Sequence, residues 1–220
     1  MRRVGNQYAA TWAPSGWAAQ PTRRVLIALH GTGGYPELEW KDWYPFLTDG
    51  TWAVVALSYR HGMQFDPVTT TYTNITTLVN QMLGECGTDT AVDLVGFSRG
   101  SANTFAITYL DRHDGGPIRG AIAVSGAWGT TDPLPPPLNT LVSNPHAMDG
   151  VQMWGWCGEA DIENGQSRCD SMTNAFAWVT QHGGTVATLR RAAGLGHADF
   201  PKDQAGVQAA LAWLASLPAR

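Results

Sequence analysis

Charged residues are scarce in this sequence. Only 15% of the 220 residues are Asp, Glu, Lys or Arg, and 18 acidic residues against 14 basic ones give a formal net charge of -4 at pH 7. Lysine and arginine form no cluster longer than a pair. A protein that binds the phosphate backbone of a nucleic acid needs a broad basic surface. We therefore expect no nucleic-acid partner.

Long hydrophobic runs are also missing. Residues 25–29 are typical of the apolar stretches, and the mean hydropathy is -0.17. A membrane-spanning helix needs about 20 apolar residues, so the sequence predicts no membrane span. The first three residues carry the charge of a signal peptide, but residues 5–7 are polar where an apolar segment should follow. We therefore expect a mature or cytosolic chain.

Cysteine occurs at only three positions, Cys86, Cys157 and Cys169. This number is too small for a disulfide scaffold, and at most one pair can bridge. Neither a Cys-x-x-Cys motif nor a suitably spaced pair of histidines indicates a structural zinc site. The sequence predicts no metal centre.

Apolar material, by contrast, is abundant. Hydrophobic residues make up 44% of the chain and aromatic residues 10%, which is enough for a sizeable core in a chain of this length. The proline-rich stretch at residues 132–137 is a stiff loop and not a linker, because strand-like runs continue beyond it. We expect a single domain over residues 1–220.

Short apolar runs alternate with segments of helical spacing. Runs without polar alternation are typical of strands buried on both faces of a parallel sheet, and apolar stripes between them indicate helices that pack on such a sheet. This order predicts a three-layer α/β/α sandwich with a mostly parallel sheet of six or seven strands. The predicted strands are residues 25–29, 52–58, 91–95, 120–125, 151–156 and 185–189, with an edge strand at 8–12. The predicted helices cover the stripe at 72–83, the segment after Ser98, residues 169–181 and the segment after Pro201. Pro201 itself suits the first turn of that last helix.

A Gly-x-Ser-x-Gly motif lies between a strand and a helix. Gly96, Ser98 and Gly100 follow the apolar run at residues 91–95 and begin a helical stripe. This context is typical of a nucleophile elbow, a sharp turn that presents a strained serine. The glycines allow the strand and the helix to approach closely. Ser98 is therefore the candidate nucleophile.

With this motif the sequence resembles the α/β-hydrolase superfamily, from about residue 24 to residue 217. The His-Gly loop at residues 30–34 follows the first strong strand, where the superfamily commonly places one donor of the oxyanion hole. The resemblance implies that the backbone amides of Thr32 and Arg99 hold the oxyanion. It also implies a structural role for His30.

A serine nucleophile needs a base and an acid. In the superfamily the chain order is serine, acid, histidine, with the histidine on a loop after the last strand. His197 fits this order, and His146 and His61 are the alternatives. Asp161 follows the strand at residues 151–156 and is the expected acid. Asp132, which follows the strand at 120–125, is the reserve, and Glu159 and Glu163 flank Asp161.

Cys157 and Cys169 lie on either side of Asp161. A bridge between them would restrict the loop that carries the acid, and the cutinases, secreted members of the superfamily, pin their acid loop in a similar way. Two unlinked thiols are the alternative, because a sequence does not give their distance. A bridge would indicate a secreted or periplasmic protein, and free thiols a cytoplasmic one.

Ten tryptophans are present, and several follow strands at the active edge of the predicted sheet. Trp43 and Trp128 are the candidates for substrate contact. Core packing is their alternative role, and it is the expected role of Trp52, Trp154, Trp178 and Trp213. Arg99, Arg60 and His61 could meet an acidic group on a substrate or brace loops.

The resemblance implies an enzyme with a minimal cap and an open site, similar to carboxylesterases and cutinase-like hydrolases. We expect hydrolysis of short-chain or aryl carboxylic esters, small or polymer-bound, through Ser98, His197 and Asp161 and without any cofactor. The alternatives are a thioesterase, a lactonase, a polymer- or polysaccharide-ester depolymerase, a cofactor-free lyase or haloperoxidase, and a non-catalytic binding module.

Overall fold

A computed structural model describes residues 1–61, 64–87, 89–128 and 134–218. Within this part of the chain the strands are β1 (Arg2–Val4), β2 (Gln7–Trp12), β3 (Arg23–Leu29), β4 (Trp52–Leu57), β5 (Arg60–His61), β6 (Gln64–Phe65), β7 (Thr90–Phe97), β8 (Ile118–Val124), β9 (Gln152–Gly158), β10 (Ile162–Glu163), β11 (Gln166–Ser167) and β12 (Thr185–Ala192). The α-helices are α1 (Pro36–Trp43), α2 (Val68–Cys86), α3 (Arg99–His113), α4 (Arg168–Gln181) and α5 (Gln204–Ser216).

Eight of these strands form one sheet in the order β1-β2-β4-β3-β7-β8-β9-β12. The six strands from β4 to β12 pair in parallel, while β1 and β2 are antiparallel additions at one edge. Every residue of β4 and β8 is buried, as expected for strands covered on both faces. Two small hairpins, β5–β6 and β10–β11, lie outside the sheet.

Helices cover both faces of this sheet. On one face, α2, α3 and α4 pack with residues such as Leu78, Phe105 and Met172 in the larger apolar core. On the other face, α1 and α5 contribute Trp43 and Leu214 to a second core. The three-layer α/β/α arrangement with a mostly parallel sheet is therefore confirmed.

All seven predicted strands are present, with ends that differ by a few residues, but the sheet has eight. The eighth strand, β1, lies at the charged N-terminus, where the apolar pattern of a strand is absent, and it is held by pairing with β2. Helix α1 was also not predicted. It is only eight residues long and buries just Pro36, Glu39 and Trp43, too few for a recognisable apolar stripe.

The start of the last helix differs from the expectation. Pro201 lies in a separate 3-10 turn, Phe200–Lys202, and not in the first turn of α5. Helix α5 begins after Asp203, whose side chain accepts a hydrogen bond from the backbone N–H of Gly206. A carboxylate at this position satisfies one of the free N–H groups of the first turn. None of the helices in the described residues is long and apolar enough to cross a membrane.

Candidate active site

Three side chains that suit nucleophilic catalysis lie at one edge of the sheet. Ser98 directly follows β7, Asp161 follows β9, and His197 lies in the loop after β12. Because these strands run parallel within one sheet, their carboxyl ends meet at the same edge. The topology therefore brings together residues that are far apart in the sequence.

Ser98 occupies a strained turn between β7 and α3. Its φ is 53° and its ψ is -113°, a conformation that residues with a side chain rarely adopt. A Cβ atom on Gly96 would collide with the carbonyl of Gly100, and one on Gly100 would collide with the carbonyl of Leu29. Both glycines are thus required for the close approach of strand and helix.

A continuous hydrogen-bond relay joins the three side chains. Nδ1 of His197 lies 2.7 Å from Oδ2 of Asp161, and Nε2 of His197 lies 2.9 Å from Oγ of Ser98. With Asp161 ionised, Nδ1–H donates to its carboxylate, which leaves the lone pair of Nε2 to accept the proton of the Ser98 hydroxyl. Asp161 is 6% exposed, so its carboxylate is shielded from water on most sides.

The two residues whose backbone amides are the expected oxyanion donors both lie at the cleft of Ser98. Thr32 and Arg99 line the same cleft as Ser98. Arg99 is the first residue of α3, and the N–H groups of the first helical turn have no acceptor within their helix. An oxyanion placed here would also face the positive end of the dipole of α3.

His30 supports the loop that carries Thr32. Its ring is 1% exposed, packs 4.6 Å from the ring of Tyr59, and donates from Nδ1 to the carbonyl of Gly31 at 2.9 Å. Burial lowers the pKa of the imidazole, so the neutral ring is favoured. These contacts agree with the structural role that we expected for His30.

The loop with Asp161 is held at both ends. Cys157, at the end of β9, and Cys169, in the first turn of α4, form a disulfide. Inside this closed loop the backbone N–H of Asp161 donates to the carbonyl of Gly158, and the N–H of Arg168 donates to the carbonyl of Asp161. The disulfide therefore fixes both the acid and the first residue of α4.

The cleft above Ser98 has a volume of about 400 Å³ and is open to solvent. Its walls come from the oxyanion loop, the start of α3, the segment after β8 and the disulfide-closed loop. The lining residues are Thr32, Ser98, Arg99, Ala102, Asn103, Ser125, Gly126, Ala127, Trp128, Pro135, Glu163 and Arg168.

Of the two tryptophans expected at the substrate, the structure brings only one to this cleft. Trp128 lines it and packs edge-on against Phe105 and Trp178, with ring centroids 4.9 and 5.8 Å away. Trp43 is 4% exposed and packs against Phe200 on the opposite face of the sheet. Trp43 is therefore a core residue, because helix α1 turns its ring inward.

Three of the other histidines make their contacts away from the relay. His146 pairs with Asp149 at the surface. His113 ends α3 and His182 follows the last residue of α4, and both rings bond to backbone carbonyls. His61 ends the short strand β5.

The alternative acids are engaged elsewhere. Glu159 pairs with Arg191 at 3.3 Å, and Glu163 pairs with Arg168. Asp132, the reserve acid, lies outside the residues that the structure describes. Among the described residues, Asp161 is the carboxylate that contacts the His197 ring.

Several cleft residues were not predicted from the sequence. Ser125 is fully buried with a φ of 53°, and its hydroxyl has no partner among the described residues. Arg168 and Asn103 also line the cleft. A signal for Arg168 was present in its position next to Cys169, which places it inside the loop that any bridge to Cys157 would close.

The described residues contain no group of three or more His, Cys, Asp or Glu side chains that could hold a metal ion. Ser98, His197 and Asp161, with the backbone amides of Thr32 and Arg99, match the set of groups that acyl transfer requires. The arrangement can activate a hydroxyl and stabilise the negative charge that develops on a carbonyl oxygen.

Comparison with known proteins gives a match in structure. No protein-family model matches the chain, and no curated protein matches its sequence. Among solved structures, esterase Est22 is 13% identical with a TM-score of 0.72, over 96% of this chain and 76% of that one. A hormone-sensitive lipase from a metagenome library is 16% identical with a TM-score of 0.71, over 97% of this chain and 82% of that one.

A third structure widens the range of similar proteins. A fungal esterase from Rhizomucor miehei is 14% identical with a TM-score of 0.67, over 98% of this chain and 85% of that one. At these identities the likeness establishes the architecture alone. Together with the sheet order, it shows that this chain has the α/β-hydrolase fold.

Proposed function

We propose that this protein is a serine hydrolase that cleaves carboxylic esters through an acyl-enzyme intermediate. The observation that carries the proposal is the relay from Ser98 through His197 to the buried Asp161. A serine hydroxyl is a weak nucleophile at neutral pH, and a histidine held by a carboxylate is the group that activates it. The structural neighbours described as esterases and a lipase support the same reaction class.

In the first half-reaction, the Oγ atom of Ser98 attacks the ester carbonyl carbon while Nε2 of His197 takes the hydroxyl proton. The electron pair of the C=O bond moves to the oxygen, which the N–H groups of Thr32 and Arg99 stabilise. When this intermediate collapses, the bond to the alcohol oxygen breaks and His197 donates its proton to that oxygen. Asp161 stays ionised and holds the imidazolium in position.

In the second half-reaction, water replaces the alcohol. His197 takes a proton from the water, whose oxygen attacks the acyl carbon, and the same amides hold the second oxyanion. The bond between the acyl carbon and Oγ of Ser98 then breaks, and His197 returns the proton to Oγ. A carboxylic acid leaves, and the free enzyme is restored.

The open cleft favours short-chain or aryl esters, including exposed esters on a polymer. Its walls hold polar groups such as Asn103 and Arg168 beside one aromatic ring, Trp128, a surface unlike the long apolar tunnel that a fatty acyl chain would need. Thioesters and lactones are the second candidate substrates, because attack by Ser98 and collapse of the oxyanion require the same groups.

We expect the wild-type protein to hydrolyse p-nitrophenyl acetate and butyrate and to lose activity steeply toward palmitate. Ser98→Ala should lower turnover by about a thousandfold or more, because the nucleophile is removed while binding remains. Asp161→Asn should be severely impaired, since the amide no longer fixes the required tautomer of His197. The release of p-nitrophenol by the wild type and by both variants, measured side by side, gives the three turnover rates.

Ser143→Ala is the matched control, because Ser143 is exposed and lies outside the cleft. A fluorescent phosphonate that reacts with activated serines should label the wild type and this control but not Ser98→Ala. An unlabelled wild-type protein that hydrolyses no ester of the series would overturn the proposed function. Retention of most activity in Ser98→Ala would remove Ser98 from the mechanism.

A further inference from the structure

We propose that the cleft selects esters that carry a carboxylate, and that the guanidinium of Arg168, assisted by Arg99, binds that group. This inference rests on the proposed function, because it names the substrate class of the same site. Both arginines line the 400 Å³ cleft that contains Ser98.

The placement of these arginines is unfavourable for the helices themselves. Arg99 is the first residue of α3 and Arg168 the first residue of α4. The N-terminus of a helix carries a partial positive charge, so acidic residues are stabilising there and basic ones are not. Two cations therefore stand at two such ends beside one cleft, where Arg99 lies over the Phe65 ring and Arg168 pairs with Glu163.

The charges inside the cleft do not cancel. Among the described residues that line the cleft, Glu163 is the one acidic residue, and it pairs with Arg168. The Glu163 side chain is 53% exposed, and an exposed ion pair of this kind contributes little stability. Against this one carboxylate stand two guanidinium groups and the positive ends of α3 and α4.

Arg168 also has an unused donor. Its side chain is 25% exposed, and its Nε–H is buried without an acceptor among the described residues. Buried polar groups in folded proteins are nearly always hydrogen-bonded, and Arg168 lines the cleft, so a carboxylate bound beside Arg168 would give this donor its acceptor. Nε–H and one terminal N–H of a guanidinium match the two oxygens of a carboxylate.

The disulfide makes this a fixed subsite. Arg168 immediately precedes Cys169, and its backbone N–H bonds to the carbonyl of Asp161. The bridge to Cys157 therefore holds the acid of the relay and the proposed carboxylate-binding residue in one closed loop. A substrate anchored on Arg168 would have its ester held in a constant position relative to the relay.

Two pairs of substrates with and without a negative charge test the proposal. The first pair is para-acetoxybenzoate and its methyl ester, which place the charge on the leaving group. The second is mono-p-nitrophenyl adipate and its methyl ester, which place it on the acyl group. We expect kcat/KM to favour the anionic member of at least one pair by about tenfold or more, the effect of one charged hydrogen-bonded contact.

The variants distinguish an Arg168 that binds the substrate from an Arg168 that only stabilises the β10–β11 hairpin. Arg168→Gln should abolish the preference by lowering kcat/KM for the anionic esters more than for the neutral ones. Glu163→Gln should increase the preference, because it frees Arg168 and removes a repelling charge. Arg2→Gln is the matched control: Arg2 is also half of an Arg–Glu pair of similar exposure, but it lies on the distant strand β1. This variant should keep the wild-type preference.

The outcomes separate this inference from the proposed function. Ser98-dependent hydrolysis of neutral esters without any anionic preference would overturn the inference and leave the proposed function intact. Equal losses for both members of each pair in Arg168→Gln and in Glu163→Gln would also overturn it, since that is the result of an ion pair that only braces the hairpin.

Discussion

A single buried carboxyl group beside the oxyanion loop makes the stability of this protein depend on pH. Glu39, in α1, is 6% exposed and borders a small apolar cavity with Trp43 and Phe97. Burial, with the nearby negative charge of Asp42, raises the pKa of Glu39 to about 8, although a hydrogen bond from the backbone of Gly31 opposes the shift. The folded protein therefore favours the protonated form.

We expect Glu39→Gln to flatten the dependence of stability on pH. The unfolded chain releases the Glu39 proton near pH 4.5 and the folded chain near pH 8, so the contribution of Glu39 to stability is fully present below the lower value. It then falls by up to about 1.4 kcal/mol per pH unit until the upper value is passed. Urea unfolding at several values between pH 5 and pH 9 measures this slope, with Glu37→Gln on the same helix as control. An unchanged slope in Glu39→Gln would contradict the assignment.

The three candidate residues could be named from the sequence because each follows a predicted strand and the resemblance to the α/β-hydrolases implied their order along the chain. Ser98 lies between two glycines that its turn requires, and Asp161 and His197 follow strands whose ends the parallel order brings together. The burial of Glu39 and the position of Arg168 in the cleft depend on how α1 and the disulfide-closed loop pack. The spacing of apolar residues along the sequence does not indicate how α1 and this loop pack.

At the scale of elements, Arg119 ties the C-terminal end of α5 to the sheet. Arg119, on β8, donates to the carbonyls of Leu214 and Leu217 at 3.0 and 2.9 Å and pairs with Asp93 on β7. The last carbonyls of a helix have no partner within it. Burial raises the pKa of Asp93 to about 6, and Arg119 opposes that shift.

Arg119→Met should therefore destabilise the protein by about 3 to 5 kcal/mol, because it leaves Asp93 buried without its partner. Asp93→Leu combined with Arg119→Met should recover much of this loss, since no charge then remains buried. Guanidinium unfolding of the wild type, both single variants and the double variant forms the cycle that measures the coupling. Strictly additive effects would show that the pair acts as two independent residues.

The elements differ in how far the sequence predicted them. The central strands are apolar on both faces, and helix α2 has a full stripe of buried residues, so the sequence pattern predicted these elements. Strand β1 and helix α1 have no such pattern. They depend on contacts with β2 and with the second apolar core, which form only when the chain folds.

At the scale of the whole molecule, the site depends on loops from three separate strands meeting at one edge of the sheet. The loop after β9 is the one that carries both Asp161 and Arg168, and the disulfide closes it. In the sheet order β7-β8-β9-β12, the strands of Ser98 and His197 lie on either side of β9. The loop between Cys157 and Cys169 therefore lies at the centre of the proposed site.

Removing this disulfide should lower both stability and activity. A bridge across 12 positions constrains the unfolded chain by about 3 kcal/mol, so the double variant Cys157→Ala, Cys169→Ala should unfold about 6 to 12 °C lower than the wild type. Its kcat for esters should also fall, because the Asp161 loop is no longer fixed. Cys86→Ala, which leaves the bridge intact, is the control and should change neither quantity.

Thiol titration of the denatured protein tests the same bond independently. Without a reductant, one thiol, that of Cys86, should react, and after reduction all three cysteines should react. Three reactive thiols before reduction would contradict the bridge. If the bond is present and the double variant keeps the wild-type melting temperature and kcat, the packing of β9 and α4 alone positions the loop. The disulfide would then have no part in holding Asp161 against His197.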